Sequence, residues 1–574
     1  MAGLPHPVAL DAAQMTNPDR NAAIWFAPDG YDPKAKGING RRVAGESFLR
    51  GFFRNADVAE FVCLSHGQSD AGVFAEFARR EGVTKPLRGV KLEGQGAIAP
   101  LGTVSFPSPN YAAECWRRAP LGGTALSICG ITHTTATKAV MQGMVDLRMS
   151  PQMPWDAVIC TSAAVKDSMD VQMALTDAFI QHRFGKDAVP PRPMFPVIPL
   201  GVTVADFTPD PAAGRALRDQ LGIEADDTVA ALIARLTPHE KFDPLPLFIA
   251  MQQAQRVLRA TGLGGRLHLV LCGIFRDDYG RRVFDQGARA LMPDVGYHIL
   301  DGADAALRRA TLSSADMFLF PIDNLQETFG LAPIEAMAAG LPVIVSDWDG
   351  LKDTVTPEVG FRIPTEMVKP DSVTYLAQRH LGGTDSYVQY ISQMSALTSI
   401  DVPKMTEALV ALSLNPDLRA RMGAAGRARA EAVYDWSRIV PRMQDLWAEQ
   451  SAMRRAARPE AYPRMNAALL PVGPSPSFLF RSYPTAMMAA EGRRFVAVPL
   501  DGRPDVAETL AIRDYEGIKR IFETRDRICA VAAAVAATGA GGATLADLVQ
   551  ATGLQARAIE KVLVWLLKYD FIRG

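Results

Sequence analysis

ETFGLAPIEAMAAGLPVIV, residues 327–345, is the stretch around which the rest of the chain is organised. An apolar run, MFLF at residues 317–320, precedes it and reads as a buried strand running into a loop. Gly330 lets the backbone turn tightly, and residues 332–339 predict a short helix of strong formers with Pro333 in its first turn. Gly340 stops that helix, Pro342 reinforces the stop, and VIV at 343–345 predicts the next buried strand. A strand, a glycine turn and a helix N-terminus make an anion site, because the first amides of a helix point outward unpaired. Two carboxylates flank it, Glu327 before the helix and Glu335 within it. Carboxylates seldom hold phosphate, so they are read as acceptors for hydroxyls of a ligand whose phosphates lie between them, a sugar on one side and a ribose on the other.

The spacing Glu327-x7-Glu335, with the inner Phe329-Gly330 and the AMAAG-P-V continuation, resembles the donor-site signature of family 4 glycosyltransferases. Those are retaining enzymes of the GT-B fold, in which two Rossmann-like domains face a central cleft. The resemblance implies an α/β chain that moves a hexosyl group from a nucleoside-diphosphate sugar to a glycan, lipid-linked or protein acceptor, with no metal ion or other cofactor, in work such as polysaccharide biosynthesis.

At 574 residues the chain is too long for one core and suggests two large domains plus a smaller piece. Charged residues make up 21% and apolar ones 48%, with 46 Gly and 40 Pro, the composition of an α/β protein with many turns. The 61 basic side chains nearly cancel the 62 acidic ones, so nothing in the balance calls for nucleic acid or a strongly anionic membrane. Cys63, Cys115, Cys129, Cys160, Cys272 and Cys529 are scattered without CxxC spacing and read as free thiols of a reducing cytoplasm. The first residues lack a signal-peptide pattern, and no apolar run approaches the ~18 residues of a membrane span. A cytoplasmic protein is expected, with peripheral contact at the inner membrane face where the acceptor is lipid-linked.

Residues 1–20 read as a disordered lead. Residues 21–204 predict the first Rossmann-like domain, on the acceptor side. Its first strand is expected at 22–27, a loop with Gly30, Gly37 and Gly40 at 28–42, and a helix at 43–55. By the resemblance, Gly40, Arg41 and Arg42 are placed where GT-B enzymes bring this domain against the donor diphosphate. Further strand-like runs at 59–64, 102–106, 125–128 and 157–161 argue for a parallel sheet. His133 follows the third of these runs, where a histidine can contact sugar or accept a proton. Residues 198–209 (IPLGVTVADFTP) resemble the family's interdomain linker.

Residues 205–450 predict the donor-side domain, its last helix (438–449) crossing back to brace the first. Its opening strand, 228–234, leads to Arg235-Leu-Thr-Pro-His-Glu-Lys241, which resembles the family's RL-x3-EK segment. Two fixed cations at a strand's carboxyl end would stabilise charge building on a departing diphosphate. The resemblance gives Arg235 and Lys241 that role, helped by the amides of Phe329, Gly330 and Leu331, and it gives donor-sugar hydroxyls to Glu327 and ribose hydroxyls to Glu335. Gly273 closes the next strand near the expected nucleotide, with only one of the family's two glycines present. Residues 382–400 form an insertion relative to short members and have no chemical role in this reading.

Residues 451–500, rich in Pro and Arg, predict an irregular linker. Residues 501–574 resemble a winged helix-turn-helix, but Arg557, Lys561 and Lys568 are too few for a DNA reader. A protein-docking or homodimerising module is favoured over nucleic-acid binding. Rival readings of the whole are a GT-B phosphorylase or epimerase, a catalytically silent scaffold, and a regulator acting through the C-terminal module.

Overall fold

The computed structural model describes residues 18–31, 40–262, 265–518 and 521–574. The expected lead at 1–17 and loop residues 32–39, Gly37 among them, lie outside the described residues. Two contact-dense units emerge, 1–470 and 471–574.

The first unit holds two parallel sheets. Strands β1 (Ala23–Trp25), β2 (Phe61–Ser65), β3 (Leu87–Lys91), β4 (Thr103–Ser105), β5 (Ser127–Ile131) and β6 (Ala157–Ile159) lie in the order β3-β2-β1-β4-β5-β6. Strands β7 (Thr228–Arg235), β8 (Leu267–Ile274), β9 (Gly296–Asp301), β10 (Met317–Phe320), β11 (Val343–Ser346) and β12 (Gly360–Ile363) repeat it as β9-β8-β7-β10-β11-β12. Every pairing within the two sheets is parallel. This is the doubly wound order, reversing between the first and fourth strand of each half, and a crevice opens at the carboxyl ends of those two strands. The chain thus has the two-domain GT-B architecture. Covered on both faces, the central strands are continuous apolar runs: MFLF of β10 is buried throughout, as are the first five residues of β7.

Edges are different. β3, LRGVK, buries only Val90, so no apolar run announces it, and the sequence reading missed it. The first helix also begins earlier than expected, at Gly40–Asn55, so Gly40 and Arg41 form its first turn rather than a loop; the Arg41 side chain lies outside the described residues. Arg42 ties that turn to the preceding loop, its Nε donating to the Asp29 carbonyl at 3.0 Å.

The crossing helix spans Trp436–Ala456, longer than the sequence implied. It leaves the linker through a pair of backbone bonds, Val202 N to Tyr434 O (2.8 Å) and Trp436 N to Val202 O (3.1 Å). Trp436 then fills the junction. Its Nε1 donates to Ser47 Oγ at 2.9 Å, and a methyl group added at either Gly51 or Gly201 would fall among its ring atoms. Beyond it Ile439, Val440, Met443, Leu446 and Trp447 are buried against the first domain, each contributing about 1.5–3 kcal/mol. Gln450 Nε2 reaches the carbonyls of Ile128 (3.1 Å) and Trp155 (2.9 Å). All six cysteines are free, and burial pushes the Cys129 thiol up to about 12.

Residues 471–574 carry their own core. Helices Arg525–Ala537, Leu545–Thr552 and Ala556–Lys568 enclose Ile528, Val531, Leu548, Ile559 and Leu563. A two-residue antiparallel pair, Val496–Ala497 with Ile572–Arg573, ties the start of the unit to its end. The expected linker at 451–500 is therefore corrected. Its first residues complete the crossing helix, and Ala490 and Phe495 belong to the C-terminal core.

Candidate active site

β7 and β10 are hydrogen-bonded neighbours, so the segments leaving their carboxyl ends meet at the crevice between them. β7 ends on Arg235, and its continuation carries Glu240 and Lys241. β10 ends at Phe320 and runs through an irregular loop to Glu327 and the helix Leu331–Ala338. Lys241 Nζ pairs directly with Glu327 Oε2 and sits 4.8 Å from the Phe320 ring centre. The other carboxylate oxygen, Oε1, accepts from Gly330 N at 3.0 Å. Burial opposes the charge on Glu327, yet Lys241 and the amides of Gly330 and Phe329 hold its carboxyl below the ordinary range.

That clamp changes one expectation. The Gly330 amide serves the Glu327 carboxylate, with the Phe329 amide near enough to favour its charge, so a fixed anion already occupies the helix N-terminus. Phe329 itself is a core residue, its ring 6.2 Å from that of Tyr434. Only the Leu331 end of the predicted trio is left for an incoming anion. Gly330 adopts φ +78°, the left-handed region, and a methyl group there would lie 2.7 Å from Leu351 Cδ2. Gly330→Ala is therefore expected to strain this turn by about 1–2 kcal/mol and to weaken nucleoside-diphosphate binding about tenfold in a calorimetric titration.

Arg235 donates through Nη1 to Glu240 Oε2 (3.1 Å) and through Nη2 to Gln326 Oε1 (3.2 Å). Burial draws its guanidinium below the usual value while Glu327 pulls the other way, and arginine stays charged throughout. Arg276 also pairs with Glu240, so this buried carboxylate gathers two guanidiniums at the strand ends. Glu240 and Gln326 were missed as site residues, although Glu240 stands beside Lys241 in the RL-x3-EK segment.

Glu335 projects from the helix half-buried. Burial pushes its carboxyl up to about 7, with Arg308 opposing. No hydrogen-bond partner for that carboxylate is found among the described residues. Gly273 is buried within β8, and its Cα sits where the turn at Gly302 crosses, with Gly302 N donating to Gly273 O at 3.0 Å. Its lack of a side chain serves this backbone crossing rather than an open nucleotide surface.

The first domain supplies the opposite wall. Thr161 Oγ1 reaches Thr328 O (3.5 Å), and Ser162 Oγ donates to Asp349 Oδ1 (3.0 Å). His133 lies just beyond β5 and lines a small, partly open cavity with Phe48, Phe106, Leu200 and Trp436. It belongs to that wall rather than to the Lys241–Glu327 pair. Among the described residues no three His, Cys, Asp or Glu side chains form a metal-ligand set, and no helix is long and apolar enough to cross a membrane.

Residues 215–378, which span β7 to β12 and the whole Arg235–Lys241–Glu327–Glu335 constellation, match the family model for glycosyl transferases group 1. The chain is 28% identical over 269 residues to a GDP-mannose-dependent monoacylated alpha-(1-6)-phosphatidylinositol monomannoside mannosyltransferase of Corynebacterium glutamicum, covering 46% of this chain and 58% of that one. It is 24% identical over 373 residues to a D-inositol 3-phosphate glycosyltransferase of Saccharomonospora viridis, covering 62% and 74%. The chain thus spans little more than half the length of the corynebacterial relative. Among solved structures, a sucrose-phosphate synthase from Thermosynechococcus elongatus aligns over 75% of this chain and 100% of its own, at 18% identity and a TM-score of 0.45. The fold itself is carried by the strand order of the two sheets.

Proposed function

We propose that the chain is a retaining, metal-independent glycosyltransferase that moves a hexosyl group from a nucleoside-diphosphate sugar to a glycan, lipid-linked or protein acceptor. The observation that carries this reading is the Lys241–Glu327–Gly330 clamp beside Arg235, at the switch point of the second sheet. Cations on fixed backbone meet the charge that grows on the leaving diphosphate, a task otherwise given to a metal ion. Glu327, held ionised by Lys241 and aimed by the Gly330 amide, takes donor-sugar hydroxyls. Lys241 passes from its carboxylate to the diphosphate. The Leu331 amide adds the positive end of the helix. Front-face departure needs no carboxylate nucleophile, and His133 contacts the acceptor from the first-domain wall. The name of the corynebacterial relative, with GDP-mannose as donor and a phosphatidylinositol mannoside as acceptor, supports a nucleotide-sugar donor and a lipid-linked acceptor; a cytoplasmic site of action at the inner membrane face is proposed with them. A protein-docking or dimerising role is proposed for residues 501–574.

The test is nucleoside-diphosphate release from GDP-mannose, UDP-glucose and ADP-glucose, with binding of the free diphosphates followed by thermal shift. Release from one donor supports the reading; neither release nor binding overturns it.

Glu335 gives this reading a pH signature. Ionised, it accepts from both ribose hydroxyls; protonated, it loses half that capacity. Donor KM is expected to fall as pH rises from 6 to 8, through its value of about 7. Glu335→Gln should flatten the profile and raise KM about tenfold with kcat little changed. Linkage sets the opposite sign for stability. The unfolded chain gives up this proton near 4.5 while the folded one holds it to about 7. The ligand-free protein therefore loses stability as pH rises through that window, less steeply in Glu335→Gln.

A further inference from the structure

The segment at 382–400 has no role in the donor chemistry, yet it touches both sides of the crevice. It is a built element, not a slack loop. Ser386 and Gln389 form a reciprocal capping box at the start of helix Tyr387–Ala396, which fixes Tyr387 at the first helical position. Arg379 grips Asp385 just upstream at 2.7 Å, the His380 and Tyr390 rings stack 4.6 Å apart, and Ile391, Met394 and Ser395 are buried.

From this base the helix reaches in two directions. Towards its own domain, Ser392 Oγ lies 3.0 Å from His239 Nδ1, in the turn between Arg235 and Lys241. The buried Asp323, in the loop that leads to Glu327, lies close enough to Ser395 for its hydroxyl to oppose the rise that burial gives the carboxyl. Towards the first domain, Tyr387 OH lies 3.3 Å from Thr134 Oγ1, the residue after His133. Lys138 Nζ donates to Leu381 O at 2.8 Å. The Tyr387 hydroxyl is also close enough to Arg235 for the guanidinium to oppose the effect of burial on it.

We propose that Tyr387 is a positioning residue: its hydrogen bond to Thr134 latches the two domains across the crevice and so favours the arrangement in which Arg235 and Lys241 are set for the donor diphosphate. This rests on the donor reading above. The bond joins side chains of different domains, so it exists only when they are drawn together. A ligand that needs the closed arrangement binds more weakly by the fraction of closed population lost. Tyr387 touches no reacting atom in this scheme. It acts through the turn that carries the cations.

The experiment compares Tyr387→Phe, which keeps the ring, with Thr134→Val and with the double variant, using full-length protein and whichever donor the wild type consumes. Each single change should raise donor KM about fivefold with kcat within twofold of wild type, as expected for a lost neutral hydrogen bond that affects closure rather than chemistry. The double variant should match either single one, because all three remove the same bond. Thermal midpoints should stay together, since a purely structural tyrosine would lower stability without Thr134→Val reproducing its KM. Additive effects of the two changes, or a wild-type KM in either single variant, overturn the latch while leaving the donor reading intact. A wild type that neither binds nor turns over any donor overturns both.

Discussion

Replacing Lys241 by alanine is expected to cut kcat/KM for nucleoside-diphosphate release about a thousandfold. Two losses combine. The first is a fixed cation where negative charge develops, an interaction worth about 10²–10³ when a single preorganised group is removed. The second falls on Glu327. Its side chain is only 13% exposed and its carboxyl is kept low chiefly by this ammonium against the pull of burial. Without Lys241 burial wins and the Glu327 carboxyl rises. The low-pH limb of the rate profile should then move upward, so the variant loses activity at pH values where the wild type is still fully active. Lys241→Arg keeps the charge and should recover part of the rate, limited by the altered reach of a planar fork. Initial rates across pH 4–8 check both parts. A Lys241→Ala enzyme within threefold of wild type would sink the assignment of this cation.

The largest effect on stability is expected far from the crevice, at Arg118. Its side chain and that of Asp156 are both wholly buried, and they meet in a two-pronged pair, Nη1 to Oδ1 at 2.6 Å and Nη2 to Oδ2 at 2.8 Å. Arg118 also donates to the carbonyls of Leu126 (3.1 Å) and Pro151 (3.0 Å), while Asp156 accepts from the amides of Ile128 (2.9 Å) and Met153 (2.7 Å). The pair ties the entries of β5 and β6 to the helix Ala112–Arg118. Burial opposes the guanidinium's charge, but Asp156 outweighs it and holds Arg118 above its usual value. Arg118→Met fills the volume yet strands a buried carboxylate, a defect that costs about 3–5 kcal/mol. In urea the first-domain transition should shift to lower concentration by that equivalent while the transition of residues 471–574 stays in place. A shift worth less than about 1 kcal/mol would show that water reaches the site.

What the sequence made readable is set by burial. β7, β8 and β10 are covered on both faces, so their apolar runs stand out from one line of sequence. β3 lies at an edge, alternates Leu, Arg, Gly, Val and Lys, and carries no such run. The Glu327-x7-Glu335 spacing was legible because both carboxylates sit on one short loop-helix unit. The clamp on Glu327 was not, since which oxygen an amide faces depends on the φ of Gly330. Glu240 was hidden in plain view: adjacency in sequence does not say that a glutamate will hold Arg235 and Arg276 together. Tyr387 and Thr134 are widely separated along the chain and share no pattern, and only the closed crevice brings them within 3.3 Å. Likewise, Ala490 and Phe495 gave no sign within a Pro- and Arg-rich stretch that they belonged to the C-terminal core.

The indole of Trp436, seated between Gly51 and Gly201, binds three distant codons into one unit of change. A lineage that gains a methyl group at either glycine must shrink residue 436 in the same step or lose the junction between linker and crossing helix. The intermediate genotypes are therefore the unfit ones. Grafting a first domain from another protein onto this second domain would succeed or fail on whether the donor helix brings a glycine to meet that ring, however well the crevice residues are matched.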